Sequence, residues 1–161
     1  MRGPRACHDE PVSKSNSFET AFLALIFQNS NIANIGDATG VRGSSTAGSL
    51  YVSLHSADPG ETGSQTTNEV TYGSYARVAV ARSAGGWTVS GNQASPVAAI
   101  TFPTGTSGTV AQNATYAGVG TDSSGAGTLL FRAQISNGGL YTGTMMTPVL
   151  NASTGFVTTE D

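Results

Sequence analysis

Charged side chains are scarce in this chain. Of its 161 residues only 11% are Asp, Glu, Lys or Arg, against roughly 25% in ordinary globular proteins. The formal net charge is −3, and the few charges are scattered, so no basic patch is available for a nucleic-acid backbone. Disorder requires few apolar residues and a high net charge. With 38% hydrophobic residues, the chain meets neither condition.

Cysteine and long apolar runs are also nearly absent. The one cysteine, Cys7, cannot form an intrachain disulfide, so stability must come from packing or assembly. The longest apolar run, residues 21–27, is too short to cross a bilayer. Arg2 and Arg5 precede no apolar run, so we expect no signal peptide. These features predict a protein that is made in the cytosol and binds neither membrane nor nucleic acid.

Glycine is abundant, with 21 residues, about 13% against a usual 7% or so. Together with many Ser, Thr and Ala residues it favours short strands joined by turns. About eight such strands follow from residue 47 onward, including residues 50–55, 76–82, 97–102 and the pair 115–120 and 128–135. The spacing predicts a mainly β protein, an antiparallel β-sandwich of jelly-roll type. We expect one domain over residues 15–161, preceded by an extended N-terminal arm over residues 1–14.

One α-helix is predicted, at about residues 17–29, with Asn16 as its N-cap and Glu19 completing a capping box. Phe18, Phe22 and their helical neighbours form a broad face that we assign to the core of the domain. Leu23 and Phe27 project from the opposite side. A helix that is apolar nearly all round is covered on more than one side. We therefore assign Leu23 and Phe27 to a subunit interface, where Leu23→Asp would block assembly.

The arm offers a second candidate interface. Its residues show no periodicity that would bury them in a core, and a free terminus of this kind becomes ordered when a partner holds it. Arg2, Arg5 and Pro11 are the residues that we assign to such a contact.

Catalytic candidates are few. His55 and Asp58 lie close together in sequence, and Ser53 or Ser56 could act as the nucleophile of a triad. However, His55 falls on the polar side of its predicted strand, and Asp58 opens a Pro-Gly turn, an ordinary position for aspartate. The sequence contains no G-x-S-x-G nucleophile motif. We therefore predict that the protein is not an enzyme.

Cofactor sites are equally weak. His8, Asp9 and Glu10 could bind a metal, but adjacent residues on an arm rarely form a preorganised site. The glycines between 118 and 127 lack the lysine of a phosphate-binding loop and precede no helix, so hairpin geometry explains them better. We expect no cofactor and no metal.

Aromatic side chains give one binding hypothesis. Tyr72, Tyr75 and Trp87 could stack against a sugar, although a core tryptophan with tyrosines at the rim explains them more simply. Tyr72 and Tyr75 close a polar loop, and we keep them as possible surface contacts.

Several segments resemble a known family. They are SKSNSFE at 13–19, LYVSLHSADPGE at 50–61, YARVAVAR at 75–82, GWTVSGN at 86–92, GAGTLL at 125–130 and the terminal TED at 159–161. Together they resemble small structural proteins of tailed bacteriophages, which include capsid-decoration and tail-fibre-like proteins. The resemblance spans about residues 13–161.

The resemblance implies a virion structural protein without enzymatic activity. The first expectation is a capsid decoration (cement) protein on the outer head surface. It would be assembled in the bacterial cytoplasm. Its partners would be the major capsid protein and copies of itself, with which it would form a homotrimer. The alternatives are a tail, tail-fibre or baseplate component, and a module that binds host glycans.

Overall fold

The computed structural model describes residues 13–152 and 158–159. In this part of the chain, the single α-helix α1 spans Asn16–Gln28. The strands in chain order are β1 Ser49–His55, β2 Val78–Ala81, β3 Trp87–Ser90, β4 Gln93–Pro96, β5 Ile100–Thr101, β6 Gln112–Ala114, β7 Tyr116–Gly120, β8 Leu129–Gln134, β9 Leu140–Thr142, β10 Val149–Leu150 and β11 Thr158–Thr159.

Helix α1 begins one residue earlier than predicted. Ser15, not Asn16, is the N-cap, and its hydroxyl oxygen accepts a hydrogen bond from the Phe18 amide. At the other end Asn29 adopts a left-handed conformation, with φ of 59°, which ends the helix. The Arg82 guanidinium, at the end of β2, donates to the carbonyls of Leu25 and Ile26 at 2.7 Å each. Arg82 thereby satisfies carbonyls that a helix C-terminus leaves open.

The buried face of α1 is the reverse of the predicted one. Leu23 and Phe27 are both 0% exposed and lie in the hydrophobic core, whereas Phe18 is 39% exposed. The Phe27 ring contacts Trp87 at 4.7 Å and Phe131 at 5.1 Å between ring centroids. Apolar residues surround most of this helix, so periodicity alone does not identify the side that meets the sheet. The predicted outward projection of Leu23 and Phe27 is wrong.

The largest sheet has the strand order β2-β1-β7-β8, all antiparallel. The central strand β1 is covered on both faces. Leu50, Val52 and Leu54 pack on the helix side, and Ser53 and His55 point to the other side, where they are also buried. The β7–β8 hairpin across residues 122–127 and the strand at β1 are confirmed.

The remaining strands form a three-stranded sheet, β11-β4-β3, and two pairs, β5 with β10 and β6 with β9. The mainly β, antiparallel class with one N-terminal helix is confirmed. The jelly-roll arrangement is not confirmed. Strands β4, β6, β9 and β10 were not predicted, because segments of two to four residues carry almost no periodic signal.

Two chain segments, residues 97–114 and 139–151, contain the two short strand pairs. We call these two segments together the ribbon. Between the two strand pairs, the Met145 amide donates to the Gly105 carbonyl at 2.8 Å, and the Gly105 amide donates to the Met146 carbonyl at 2.9 Å. A Cβ on Gly105 would overlap the Gly143 carbonyl, so glycine allows the two backbones to approach closely here. The inner side chains of the ribbon, including Ile100, Phe102 and Leu150, join the core.

Candidate functional site

Ser53 and His55 form a hydrogen-bonded pair, as a catalytic dyad would. The His55 Nδ1 atom lies 2.8 Å from the Thr67 carbonyl, which can only accept, so Nδ1 carries the proton. The His55 Nε2 atom is then an acceptor, and the Ser53 hydroxyl donates to it at 2.8 Å. The hydrogen bonds orient the histidine as a triad does.

This pair is sealed inside the protein. Ser53 and His55 are each 0% exposed. Burial lowers the pKa of His55 below its usual 6.5, outweighing the Thr67 carbonyl and Glu69, which favour the proton. His55 does lie on the polar side of its strand, as predicted, but that side is buried and not exposed. The pair stabilises the fold as a neutral hydrogen-bonded unit.

A buried ion pair lies next to His55. Arg77 and Glu69 form two hydrogen bonds, at 2.7 and 2.8 Å, and their side chains are only 3% and 13% exposed. The Tyr75 hydroxyl donates to Glu69 at 2.9 Å and accepts from the Leu54 amide at 3.0 Å. These hydrogen bonds compensate much of the cost of removing two charges from water. The bonds to Glu69 also raise the pKa of Arg77.

The same arginine holds the β7–β8 turn. Arg77 donates to the carbonyls of Asp122 and Gly125 at 2.9 and 2.7 Å. The fully buried amide of Gln65 accepts from the Asp122 amide at 3.0 Å. We call Ser53, His55, Gln65, Glu69 and Arg77 the polar cluster. It lies on the face of the sheet opposite α1 and joins the 56–77 segment to the sheet.

The glycines of β7 make room for the polar cluster. A Cβ on Gly118 would lie 2.7 Å from His55 Nε2 and 2.8 Å from Ser53 Oγ, and a Cβ on Gly120 would overlap the Gln65 side chain. Real Cβ atoms almost never approach so closely. These two glycines therefore belong to the packing of the domain, not to a ligand loop.

Asp58 belongs to an exposed ion-pair group. Arg132 Nε lies 2.8 Å from Asp58, and Arg132 Nη2 lies 2.9 Å from Glu61. The Gly60 amide, which donates to Asp58 at 2.9 Å, is the main cause that lowers the pKa of Asp58. Asp58 thus stabilises its own turn, as its sequence context indicates, and does not contact His55.

The predicted aromatic contacts are largely internal. Trp87 is fully buried and Tyr72 is 4% exposed, and the Tyr72 hydroxyl donates to the Pro103 carbonyl at 2.9 Å. Burial raises the pKa of Tyr72 to about 12. Tyr75 packs between Tyr72 and Phe102. The prediction of a core Trp87 is confirmed, but Tyr72 and Tyr75 present no exposed stacking platform.

Two of the predicted interface residues are buried within the domain. Leu23 and Phe27 are core residues, so we now expect Leu23→Asp to unfold the domain. Arg2, Arg5 and Pro11, and the metal-binding candidates His8, Asp9 and Glu10, lie outside the described residues. Over residues 13–152 and 158–159, no group of three or more His, Cys, Asp or Glu side chains could hold a metal. In the same residues no helix has the length and apolarity that a membrane span requires.

The outer surface of the ribbon is the strongest candidate for contact with another molecule. Val110, Met145 and Tyr141 are 80%, 78% and 66% exposed. On the two ladders, Val149 lies opposite Thr101 and Tyr141 lies opposite Asn113, on the side away from the core. Large apolar side chains at this exposure are typical of interaction surfaces when they occur together.

A shallow apolar groove adjoins the ribbon. It has a volume of about 310 Å³ and lies between the edge strand β2 and the start of the ribbon at residues 98–101. Alanines line much of it. Edge strands are usually protected by charged side chains or proline. The exposed positions of β2, Ala79 and Ala81, carry neither.

One sequence signal identifies this surface, and the sequence predictions did not use it. Residues 83–121 and 133–159 contain no Asp, Glu, Lys, Arg or His. The whole ribbon falls within these two segments. The charged residues are thus unevenly distributed, and the ribbon contains none of them.

Comparison with known proteins identifies the family. No curated protein matches the sequence. The family model for Podophage GP4 fiber I protein gp80 matches residues 13–144, well over half of the chain. The matched range includes every segment that carries the resemblance except the terminal TED at 159–161. We conclude that the chain belongs to this family of phage structural proteins.

Proposed function

We propose that the protein is a fibre component of the phage tail, and that it acts through contacts with other subunits and not by catalysis. The match to a fibre family over residues 13–144 carries this proposal. It favours the tail alternative over the capsid-decoration function that was our first expectation from sequence.

The structure supports a role in contact. The only nucleophile–base pair discussed above is sealed within the sheet, whereas the ribbon exposes apolar side chains on an uncharged surface. A binding function needs accessible surface, and the ribbon supplies it. Our proposed partners are copies of this chain and neighbouring tail proteins.

The location in the virion tests the proposal. Purified phage particles are separated into heads and tails, and this protein is quantified in each fraction by mass spectrometry against the major capsid protein. We expect it in the tail fraction, at a copy number far below that of the capsid protein.

A control on head stability makes the assignment specific. Particles lacking the protein should retain their DNA on heating as well as wild-type particles do. A copy number comparable with that of the capsid protein, together with heads that leak when the protein is absent, would contradict the tail proposal and restore the decoration function.

A further inference from the structure

The exposed apolar side chains of this protein are unevenly distributed. The described residues include ten large hydrophobic side chains that are substantially exposed, and six of them lie on the ribbon. These six are Val97, Val110, Tyr141, Met145, Met146 and Val149. Single exposed apolar residues are normal on a protein surface, but a concentration of them in one region indicates a binding surface.

The charge pattern restricts what can cover this surface. The ribbon has no Asp, Glu, Lys, Arg or His residue, so any charge that a partner buried against it would remain unpaired, at a large cost in free energy. The matching surface must itself be uncharged and apolar. The ribbon meets that requirement, because two copies would bring together no like charges although each chain carries a net charge of −3.

The shape of the region also permits self-association. Met145 and Tyr141 protrude, while the neighbouring groove of about 310 Å³ is lined by small and apolar residues. The free edge of β2 forms one wall of the groove and carries no charged or proline residue. A surface with both protruding and recessed apolar parts can contact a second copy of itself.

We propose that the ribbon binds a second copy of this chain and that this contact joins subunits of the fibre. The inference deepens the proposed function and depends on it for the biological role of the contact. Met145 and Tyr141 lie at the centre of the interface, and the β2 groove receives apolar side chains of the partner.

Sedimentation velocity of the full-length protein over a range of concentrations tests this inference. We expect wild-type protein to form a reversible oligomer. Met145→Glu and Tyr141→Asp each place a charge in the apolar contact and should weaken association at least about tenfold. Ile35→Glu is the matched control, because Ile35 is also exposed, at 45%, but lies outside the ribbon. It should associate as wild-type does.

Circular dichroism and thermal melting establish that each variant is folded. If Met145→Glu does not fold, the milder Met145→Ser replaces it. A monomeric wild-type protein would overturn the proposal. So would oligomers that resist both ribbon substitutions, or that dissociate equally with Ile35→Glu. Hydroxyl-radical oxidation of Met145 tests whether the same chain covers the ribbon. If Met145 is protected from oxidation in a monomer, residues of the same chain cover it, and the proposal is overturned.

The result is separable from the location in the virion. If the protein is found in the tail but is monomeric in solution, the ribbon contact is contradicted and the fibre assignment is unaffected. If the protein forms an oligomer through the ribbon but is found only on heads, the ribbon contact is supported and the fibre assignment is contradicted.

Discussion

Globular proteins usually bury apolar side chains and expose charged ones. The polar cluster and the ribbon each depart from this arrangement, the polar cluster by burying charges and the ribbon by exposing apolar side chains. In the polar cluster an ion pair, a histidine and a glutamine are buried beneath the 56–77 segment. In the ribbon, apolar side chains such as Met145 are directed to solvent and charges are absent. The polar cluster has its partners within the chain, so it stabilises the domain. The ribbon exposes apolar side chains, and we propose that a second copy of the chain covers them.

The largest expected effect follows from breaking the ion pair. Arg77→Ala leaves Glu69 buried without its cation and releases the carbonyls of the β7–β8 turn. Loss of one member of a buried pair typically costs about 3–5 kcal/mol. Urea denaturation should show this loss in the free energy of unfolding. Arg132→Ala, which removes an arginine from an exposed ion pair, is the control and should leave stability nearly unchanged.

A somewhat smaller loss is expected when a methyl group is added beneath the polar cluster. Gly118→Ala brings its Cβ against His55 and Ser53, and overpacking of this kind costs about 1–3 kcal/mol. Gly85→Ala is the matched control, because a Cβ there would meet only Ser83 Oγ, at 3.7 Å. Equal thermal stability of the two variants would show that β7 does not fit tightly against the pair.

The buried histidine predicts a pH dependence. The pKa of His55 is lowered in the folded protein, so below pH 6.5 the unfolded chain binds a proton that the folded chain does not. Its contribution to stability is therefore complete above about pH 6.5 and decreases as the pH falls towards the lowered pKa, by at most about 1.4 kcal/mol per pH unit. Glu69 and Arg77 are the charged groups that face His55.

His55→Gln should flatten this dependence between about pH 7 and about pH 5 in urea denaturation experiments. His8 is present in both proteins, so its contribution cancels in the comparison. An unchanged slope would mean that His55 is protonated as readily in the folded as in the unfolded protein.

The smallest effect on stability is expected in the ribbon. Met145→Glu changes an exposed side chain that the core does not use, and such substitutions usually alter the free energy of unfolding by less than about 0.5 kcal/mol. Thermal melting at concentrations where the protein is monomeric measures this. A loss as large as that of Gly118→Ala would show that Met145 supports the fold of a single chain.

Sequence reasoning succeeded where local pattern determines structure. The alternation at residues 50–55 and the hairpin across residues 122–127 are set by neighbours along the chain, and both are confirmed. It failed where tertiary contacts decide. The buried side of α1 depends on where Trp87 and Phe131 lie, and His55 is buried because a distant loop covers the second face of β1. Alternation along a strand does not show that both of its faces are covered.

The candidate site was visible in part. Uncharged segments can be read directly from the sequence, but their meeting in one ribbon requires the pairings of β5 with β10 and β6 with β9. These strands are only two or three residues long. Only β5 falls in a predicted strand, residues 97–102, and no periodic pattern marks β6, β9 and β10. Two of the contact residues proposed from sequence, Leu23 and Phe27, were instead chosen on a helix that needs these side chains inside the domain.

A cryo-electron microscopy reconstruction of the intact phage tests the central claim most directly, because it shows the assembled subunits in place. The account predicts density for this chain in a tail-attached fibre, with Tyr141 and Met145 of one subunit against the ribbon of the next. A fibre in which these side chains face solvent, while other surfaces join the subunits, would contradict it.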